Sequence, residues 1–190
     1  MCLGLLDDAS FVELLLRLDR EMAAEVQAGR CPQCEGPLHV GHFCRKPRGW
    51  RGREPTGFDI RFDFCCGWCR KRCMPPSIRF LGRRVYLGVV VTLATVLRHG
   101  ATPWRLAKLQ AHLGMSAVTV ERWRRWWQQQ LPVTSLWARV RGQLPSVLCL
   151  AALPSSLLEC FVGSAAERMV ALLRLLSPLS TQSCPERAWR

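Results

Sequence analysis

The chain has 190 residues, a formal net charge of +13 and an apolar fraction of 49%. A chain of this length forms one or two small domains, and this length excludes most multi-domain enzymes, while the apolar fraction excludes a wholly disordered protein. The excess of 27 basic over 14 acidic residues indicates a polyanionic partner, either nucleic acid or an acidic membrane surface.

The positive charge lies in the middle of the chain. Residues 30–141 contain 18 Arg and 3 Lys against five acids, whereas the flanks are slightly acidic. Arg suits bidentate phosphate and base contacts, although a GC-rich genome also favours arginine codons. No apolar run reaches the roughly 18 to 20 residues of a membrane-spanning helix, and the start lacks the basic region of a secretory signal. We therefore expect a cytoplasmic protein that is not associated with a membrane.

Residues 1–29 are predicted to form an N-terminal amphipathic helix. Apolar residues recur at three- and four-residue spacing over residues 11–26, which is the period of one helix face. Ser10 and Glu13 match a capping box, and Gly29 is a suitable stop, so the helix is expected over 11–28. Its acids are expected to form a solvated face, and they are Asp7, Asp8, Glu13, Asp19, Glu21 and Glu25.

Residues 30–80 are predicted to form a small β zinc ribbon. Two C-x2-C motifs, Cys31 with Cys34 and Cys66 with Cys69, supply four thiols, which is the ligand set of a structural Zn2+ site. The 31 residues between the pairs exceed the usual spacing of roughly 15 to 20. A Pro-, Gly- and Arg-rich loop over 46–57 accounts for the excess as an insertion between two hairpin halves.

The third ligand is ambiguous, because Cys65 lies directly before Cys66. Cys66 is preferred, and Cys65 and Cys73 are the alternates, although a single Cys is usually a small buried apolar residue. A redox role of either pair is a minor alternative, since neither lies beside a βαβ unit. Weaker reserve ligands are His39, His42 and Cys44.

Residues 81–132 are predicted to form a helix-turn-helix module. An apolar helix is expected over 86–98 and a second helix over 103–113, with Pro at its first position. Gly114 supplies the turn and Ser116 the next N-cap, so a third helix is expected over 117–130. Helix, short glycine turn, helix is the pattern of DNA-binding helix-turn-helix motifs.

The third helix has the two faces of a recognition helix. Val120, Trp123 and Trp127 share one face of the helical wheel, and Arg122 and Arg125 lie opposite them. The alternative is an ordinary amphipathic surface helix with three Trp residues near the core. Arg122, Arg125 and Gln129 are predicted to contact DNA, and Arg124 and Lys108 are predicted to contact phosphate. Arg83 and Arg84 are further predicted DNA-binding residues. Arg83 and Arg84 belong to a second basic patch with Arg70, Lys71, Arg72 and Arg79, for which a solvated charge run is the alternative.

Residues 133–190 form the last predicted region, a helical C-terminal tail rich in Leu and interrupted by Pro145, Pro154 and Pro178. The sequence therefore predicts a mainly α protein with a small β zinc ribbon. The order is N-terminal helix, ribbon, helix-turn-helix and helical tail.

Several motifs resemble those of a known group of proteins. Cys-Pro-x-Cys at 31–34, aromatic-x-Cys-x-x-Cys-Arg-Lys-Arg at 64–72 and the helix-turn-helix are similar to the N-terminal segments of bacterial insertion-sequence transposases. Arg-Lys-Pro-Arg-Gly at 45–49, the segment 75–86 and Thr-Val-x-Arg-Trp at 119–123 resemble short bacterial proteins associated with mobile elements. The resemblance spans about 31–180 and implies DNA binding. Related sequences have a longer insert near Cys65 and Cys66, which leaves the third ligand open.

No catalytic residue set stands out. There is no convergent carboxylate triad, Ser/His/Asp set, P-loop or paired histidine motif. We therefore expect a non-enzymatic, zinc-stabilised protein that binds double-stranded DNA as an accessory or regulatory factor of a transposable element. The alternatives are a transcriptional repressor unrelated to transposition and a platform that recruits a larger transposase, while the oligomeric state stays open.

Overall fold

The computed structural model describes residues 4–45, 55–81, 87, 90, 114, 116–146 and 148–181. Over these residues the fold is mainly helical with two small antiparallel sheets, which confirms the predicted class at this level. The helices, labelled along the described residues, are α1 (Gly4–Asp7), α2 (Ala9–Ala28), α3 (Ala117–Arg125), α4 (Ser135–Val140), α5 (Ser155–Glu159) and α6 (Ala165–Leu176). The strands are β1 (Leu38–Val40), β2 (Phe43–Cys44), β3 (Ile60–Arg61), β4 (Phe64–Cys66) and β5 (Arg72–Cys73).

Short non-α turns complete the helical part. A π-helical segment, Trp126–Gln130, continues α3, and 3-10 turns follow at Leu131–Val133, Arg141–Gln143, Leu150–Ala152 and Ser177–Ser180. The predicted helices over 86–98 and 103–113 fall outside the described residues, apart from single positions, as does most of the loop over 46–57. The helix-turn-helix arrangement therefore stays a prediction.

Helix α2 matches its prediction at the C-terminus but begins earlier than expected. Asp8 is the N-cap, and its Oδ1 accepts hydrogen bonds from the backbone N–H groups of Ser10 (2.9 Å) and Phe11 (3.3 Å). The predicted capping box of Ser10 and Glu13 is therefore wrong, because Asp8 satisfies the free N–H groups of the first turn. Gly29 is the C-cap, as predicted.

The first four strands form two nested antiparallel pairs, which belong to two separate sheets. Strand β1 pairs with β4, with Leu38 opposite Cys66, and β2 pairs with β3, with Phe43 opposite Arg61. Strand β5 then adds to the outer side of β4, which gives the order β1, β4, β5. This pairing brings residues 31–37 beside residues 66–70, although the two segments are far apart in the chain.

A buried ion pair joins α2 to the ribbon. The sequence placed Asp19 on a solvated face and Arg79 in an exposed basic patch, and both placements are wrong, since the two side chains are 1% and 0% exposed. Oδ2 of Asp19 accepts from Arg79 Nε (2.8 Å) and from Ser77 Oγ (2.6 Å), and Oδ1 accepts from the Ile78 N–H (2.7 Å). Burial lowers the pKa of Arg79, and the Asp19 carboxylate opposes this.

The Arg79 guanidinium also holds the ribbon. Its Nη1 donates to the Phe58 carbonyl, and its Nη2 donates to the Ile60 carbonyl at 2.7 Å. The guanidinium carbon also lies 5.0 to 5.3 Å from the ring centroids of Phe58, Phe62 and Phe80. The Ser77 N–H donates to Ser180 Oγ at 2.8 Å. Residues 77–80 therefore connect the N-terminal helix, the ribbon and the last 3-10 turn.

The C-terminal helices contribute buried leucine side chains to the core. Helix α6 begins with a capping box, in which Ser164 Oγ accepts from the Glu167 N–H and the Glu167 carboxylate accepts from the Ser164 N–H. Its inward face is fully buried and consists of Met169, Leu172, Leu173 and Leu176. None of the described helices combines the length and the hydropathy that a membrane-crossing segment requires.

Candidate metal centre

The two C-x2-C turns have the same local backbone. The carbonyl of the first cysteine of each turn accepts a hydrogen bond four residues later, Cys31 from the Glu35 N–H (2.8 Å) and Cys66 from the Arg70 N–H (3.2 Å). Glu35 and Arg70 directly follow the second cysteines and have positive φ angles of 58° and 61°. Each turn therefore curls back on itself and directs both of its thiols to one side.

The sheet brings the two turns together. The Gly67 N–H donates to the Pro37 carbonyl at 2.9 Å, which ties the second turn to the start of β1. As a result the Sγ atoms of Cys31 and Cys69 lie 3.6 Å apart, and those of Cys34 and Cys66 lie 3.4 Å apart. All four Sγ atoms lie within 4.8 Å of one another.

This cluster has the dimensions of a tetrathiolate metal site. A Zn–S distance of about 2.3 Å requires an S–S separation of about 3.8 Å across a regular tetrahedron, which lies within the observed range. The Sγ distances are also far longer than a disulfide bond of about 2.0 Å, and all four cysteines are free. The four predicted ligands are therefore placed where they can hold one metal ion, which is consistent with zinc.

Backbone N–H groups favour the thiolate form at two of the four cysteines, Cys31 and Cys66, whose pKa values are lowered. The hydrogen bond from the Gln33 backbone is the largest influence on the Cys31 thiol, whose pKa is lowered to about 6. The Trp68 N–H donates to Cys66 Sγ at 3.4 Å. Such donors stabilise thiolates, and the thiolate is the form that coordinates a metal.

The structure resolves which cysteine of the doublet belongs to the cluster. Cys66 is fully buried and pairs with Leu38 across the sheet, whereas Cys65 lies on the other face of β4 and directs its Sγ to the backbone carbonyl of Arg70 at 3.6 Å. Burial raises the pKa of the Cys73 thiol to about 11. Within the described residues, the cluster contains neither of these alternates.

The reserve ligands also lie outside the cluster. His42 Nδ1 is 2.9 Å from the Asp63 carbonyl oxygen and 3.1 Å from the Asp63 backbone nitrogen, so this histidine anchors a strand. His39 and Cys44 are exposed.

Four of the predicted DNA-binding residues lie in the described part of the chain. Arg122 and Arg124 are half-buried, and Arg125 and Gln129 are exposed. The Arg124 guanidinium donates twice to the Glu121 carboxylate, at 3.1 and 3.2 Å, and Arg125 Nε lies 3.5 Å from the same carboxylate. Lys108, Arg83 and Arg84 lie outside the described residues.

The opposite face of this helix is anchored in the core. Ser116 is the N-cap of α3, and Gly114 has a φ of +63°, as the predicted cap and turn require. Residues Val120, Trp123 and Trp127 are at most 2% exposed, and Trp126 packs edge-on against Trp127 with ring centroids 5.0 Å apart. The predicted division into an apolar and a polar face is therefore present in the structure.

Two residues near the metal cluster were missed by the sequence reasoning. A Cβ atom on Gly36 would lie 2.9 Å from Cys66 Sγ and 2.9 Å from Trp68 Cδ2, so this position has room only for glycine. Trp68 follows the end of β4 at Cys66, and its indole is 67% exposed. The sequence signal for both was their position inside or next to a C-x2-C turn.

Comparisons with known proteins identify no relative, since no family model, no curated protein and no solved structure matches the chain.

Proposed function

We propose that this protein is a non-enzymatic, zinc-stabilised DNA-binding protein. The observation that carries the proposal is one helical segment, residues 117–130, which buries its Trp side chains and presents Arg and Gln side chains, in a chain of net charge +13. This combination is what a recognition helix requires, because one face must be fixed to the protein while the other contacts base edges and phosphates.

Zinc is the metal that the donor set favours. Four thiolates in a tetrahedral arrangement suit Zn2+, which has no redox chemistry and no geometric preference of its own from d electrons. A site filled by four protein ligands leaves no open position for water or substrate, so its role is structural. Bound zinc would hold the two turns together and stabilise the short strands that separate them.

The exposed side of the recognition segment carries the expected contact groups. Arg122 and Arg125 are three positions apart on α3, which places them on the same side of the helix, and Gln129 is exposed in the π-helical segment that follows. Arg125 pairs with Glu121 at 3.5 Å with two-thirds of its side chain in solvent, and an exposed pair of this kind is worth at most about 1 kcal/mol. A phosphate or a guanine edge can therefore replace Glu121 as the partner of Arg125 at little cost.

The test is duplex binding by paired variants of the metal-loaded chain. The double variant R122A/R125A should weaken binding to a fluorescein-labelled duplex roughly tenfold or more and reduce the slope of log K against log salt by about two, measured by fluorescence anisotropy. The matched control is R17A/R139A, which removes the same charge from exposed Arg residues on α2 and α4. Equal losses in the two double variants, or no effect of R122A/R125A, would contradict the proposal.

The resemblance to mobile-element proteins suggests the biological process in which DNA binding takes part, namely transposition. We infer an accessory or regulatory factor of a transposable element as the most specific role that the sequence supports. Genome-wide mapping of bound DNA tests it: sites concentrated in element ends support this role, whereas sites concentrated in unrelated promoters indicate a transcriptional repressor.

A further inference from the structure

Trp68, in the second C-x2-C turn, is a large aromatic side chain that the metal centre does not use. Its indole is 67% exposed, and it is the one aromatic among the exposed large apolar residues of the described ranges. Trp is seldom left in solvent, because burial of an indole is strongly favourable. An exposed Trp in a rigid part of a protein therefore indicates a contact surface.

One side of the indole lies against Gly36, next to the first C-x2-C turn. The Trp68 backbone N–H donates to Cys66 Sγ at 3.4 Å, and the ring carbons Cδ2 and Cγ lie within 2.9 to 3.0 Å of where a Gly36 Cβ would be. One side of the ring therefore rests on the first turn while the remainder is open to solvent. A ring fixed in this way loses little conformational entropy when it binds a flat partner.

The chain next to the indole is basic. Arg70 and Lys71 directly follow Cys69, the second cysteine of this turn, and both side chains are exposed. Arg72 is the next cation, but its Nε lies 2.9 Å from Asp63 Oδ2, which holds it in an ion pair. Arg70 and Lys71 are thus exposed cations two and three positions after Trp68 in the chain, and they are the groups expected to contact an anion that accompanies a stacked group.

We propose that Trp68, Arg70 and Lys71 form a site for single-stranded nucleic acid, in which the indole stacks on one unpaired base and the two cations contact the neighbouring phosphates. Stacking on an aromatic ring together with cations along the backbone is the general chemistry of single-strand binding. A duplex does not offer this contact, because each paired base is covered by its neighbours above and below. The site is separate from the helical segment 117–130, and it rests on the proposed function only in that both bind nucleic acid.

The test compares single-stranded and duplex ligands on the full-length, metal-loaded protein. Labelled oligo-dT and oligo-rU of about ten nucleotides, a length that spans one small binding module, are titrated by fluorescence anisotropy against wild type, W68A, W68F and R122A/R125A. We expect W68A to weaken single-strand binding roughly tenfold or more and W68F to retain most of it, because phenylalanine still stacks. W68A should leave duplex binding unchanged, and its metal content is measured alongside to show that the ribbon is intact.

The outcomes separate this proposal from the proposed function. Binding of oligo-dT identifies single-stranded DNA as the ligand, binding of oligo-rU alone identifies RNA, and either supports the site if W68A weakens that binding by roughly tenfold or more. Failure of the wild type to bind both oligomers, or equal binding by wild type and a metal-loaded W68A, overturns it and leaves a protein partner as the occupant of this surface. Loss of duplex binding in R122A/R125A with single-strand binding retained supports both sites as independent.

Discussion

Replacement of Asp19 by Ala should be the most destabilising single change on α2. The Asp19 side chain is 1% exposed and accepts three hydrogen bonds of 2.6 to 2.8 Å, from Ser77 Oγ, the Ile78 N–H and Arg79 Nε. Its removal leaves a buried guanidinium without its counter-charge, and removal of one partner of a buried ion pair costs about 3 to 5 kcal/mol. A loss of about 4 kcal/mol lowers the ratio of folded to unfolded protein roughly a thousandfold.

Urea unfolding followed by tryptophan fluorescence measures this loss as a shift of midpoint at constant slope. The matched control is E21A, since Glu21 is an exposed acid on the same helix whose pair with Arg17 spans 3.8 Å, and it should cost below about 0.5 kcal/mol. A double-mutant cycle with R79M should be strongly non-additive, because the second change removes the charge that the first leaves unpaired. A cost below about 1 kcal/mol for D19A, or additive single effects, would refute the role assigned to this pair.

Two further predictions concern the metal ligands and the cap of α6. The variant C66S should lower metal affinity more than about 100-fold, since changes in groups that only support a ligand already cost roughly 10- to 100-fold. The variant C65S should keep one metal per chain by elemental analysis. The reverse order of the two variants would identify Cys65 as the ligand. Hydrogen bonds from Ser164 lower the pKa of Glu167, so its contribution to stability is full above the ordinary glutamate pKa and is lost as pH falls through the lowered value. The difference in urea midpoint between wild type and E167Q should therefore shrink as the pH falls below the ordinary glutamate pKa, and a difference that stays constant or widens over that range contradicts the cap.

The metal cluster could be predicted from the sequence because its chemistry is local. Each C-x2-C turn fixes two thiols through its own backbone, and four such thiols have few alternative uses. The choice between Cys65 and Cys66 depended on strand register, since a shift of one residue moves every side chain to the other face of the sheet. The pairing of Cys66 with Leu38 decides this register, and no spacing rule contains it.

The buried ion pair could not be predicted, because its partners lie 60 positions apart. Asp19 lies beside Arg20 and Glu21 in the chain and Arg79 lies in a basic stretch of sequence, and charged residues are almost never fully buried unless they are paired. Their burial depends on the aromatic rings of the ribbon and on the Phe58 and Ile60 carbonyls, which only the tertiary fold brings to Arg79. The capping box of Ser164 and Glu167, by contrast, was readable from its Ser-x-x-Glu spacing and was missed.

The helical segment 117–130 shows an intermediate case. The cap at Ser116, the turn at Gly114 and the buried Trp face all follow from periodicity and local hydrogen bonding. The π-helical end, Trp126–Gln130, does not follow from the 3.6-residue period, because a π turn inserts one extra residue per hydrogen bond. It allows the adjacent Trp126 and Trp127 to be buried together, which a regular wheel does not anticipate.

The attachment of Arg79 to both Asp19 and the Phe58 carbonyl limits how this protein can be dissected. A fragment that begins at Cys31 would retain all four thiols of the metal cluster and yet contain a cation, packed among phenylalanine rings, that has lost its neutralising acid. Such a fragment is a poor surrogate for the intact chain, even if it takes up metal. Conversely, loss of the metal should disorder the ribbon carbonyls that hold Arg79, and Arg79 in turn holds the amino-terminal helix. We therefore expect metal loss and loss of helical structure to occur in one cooperative transition.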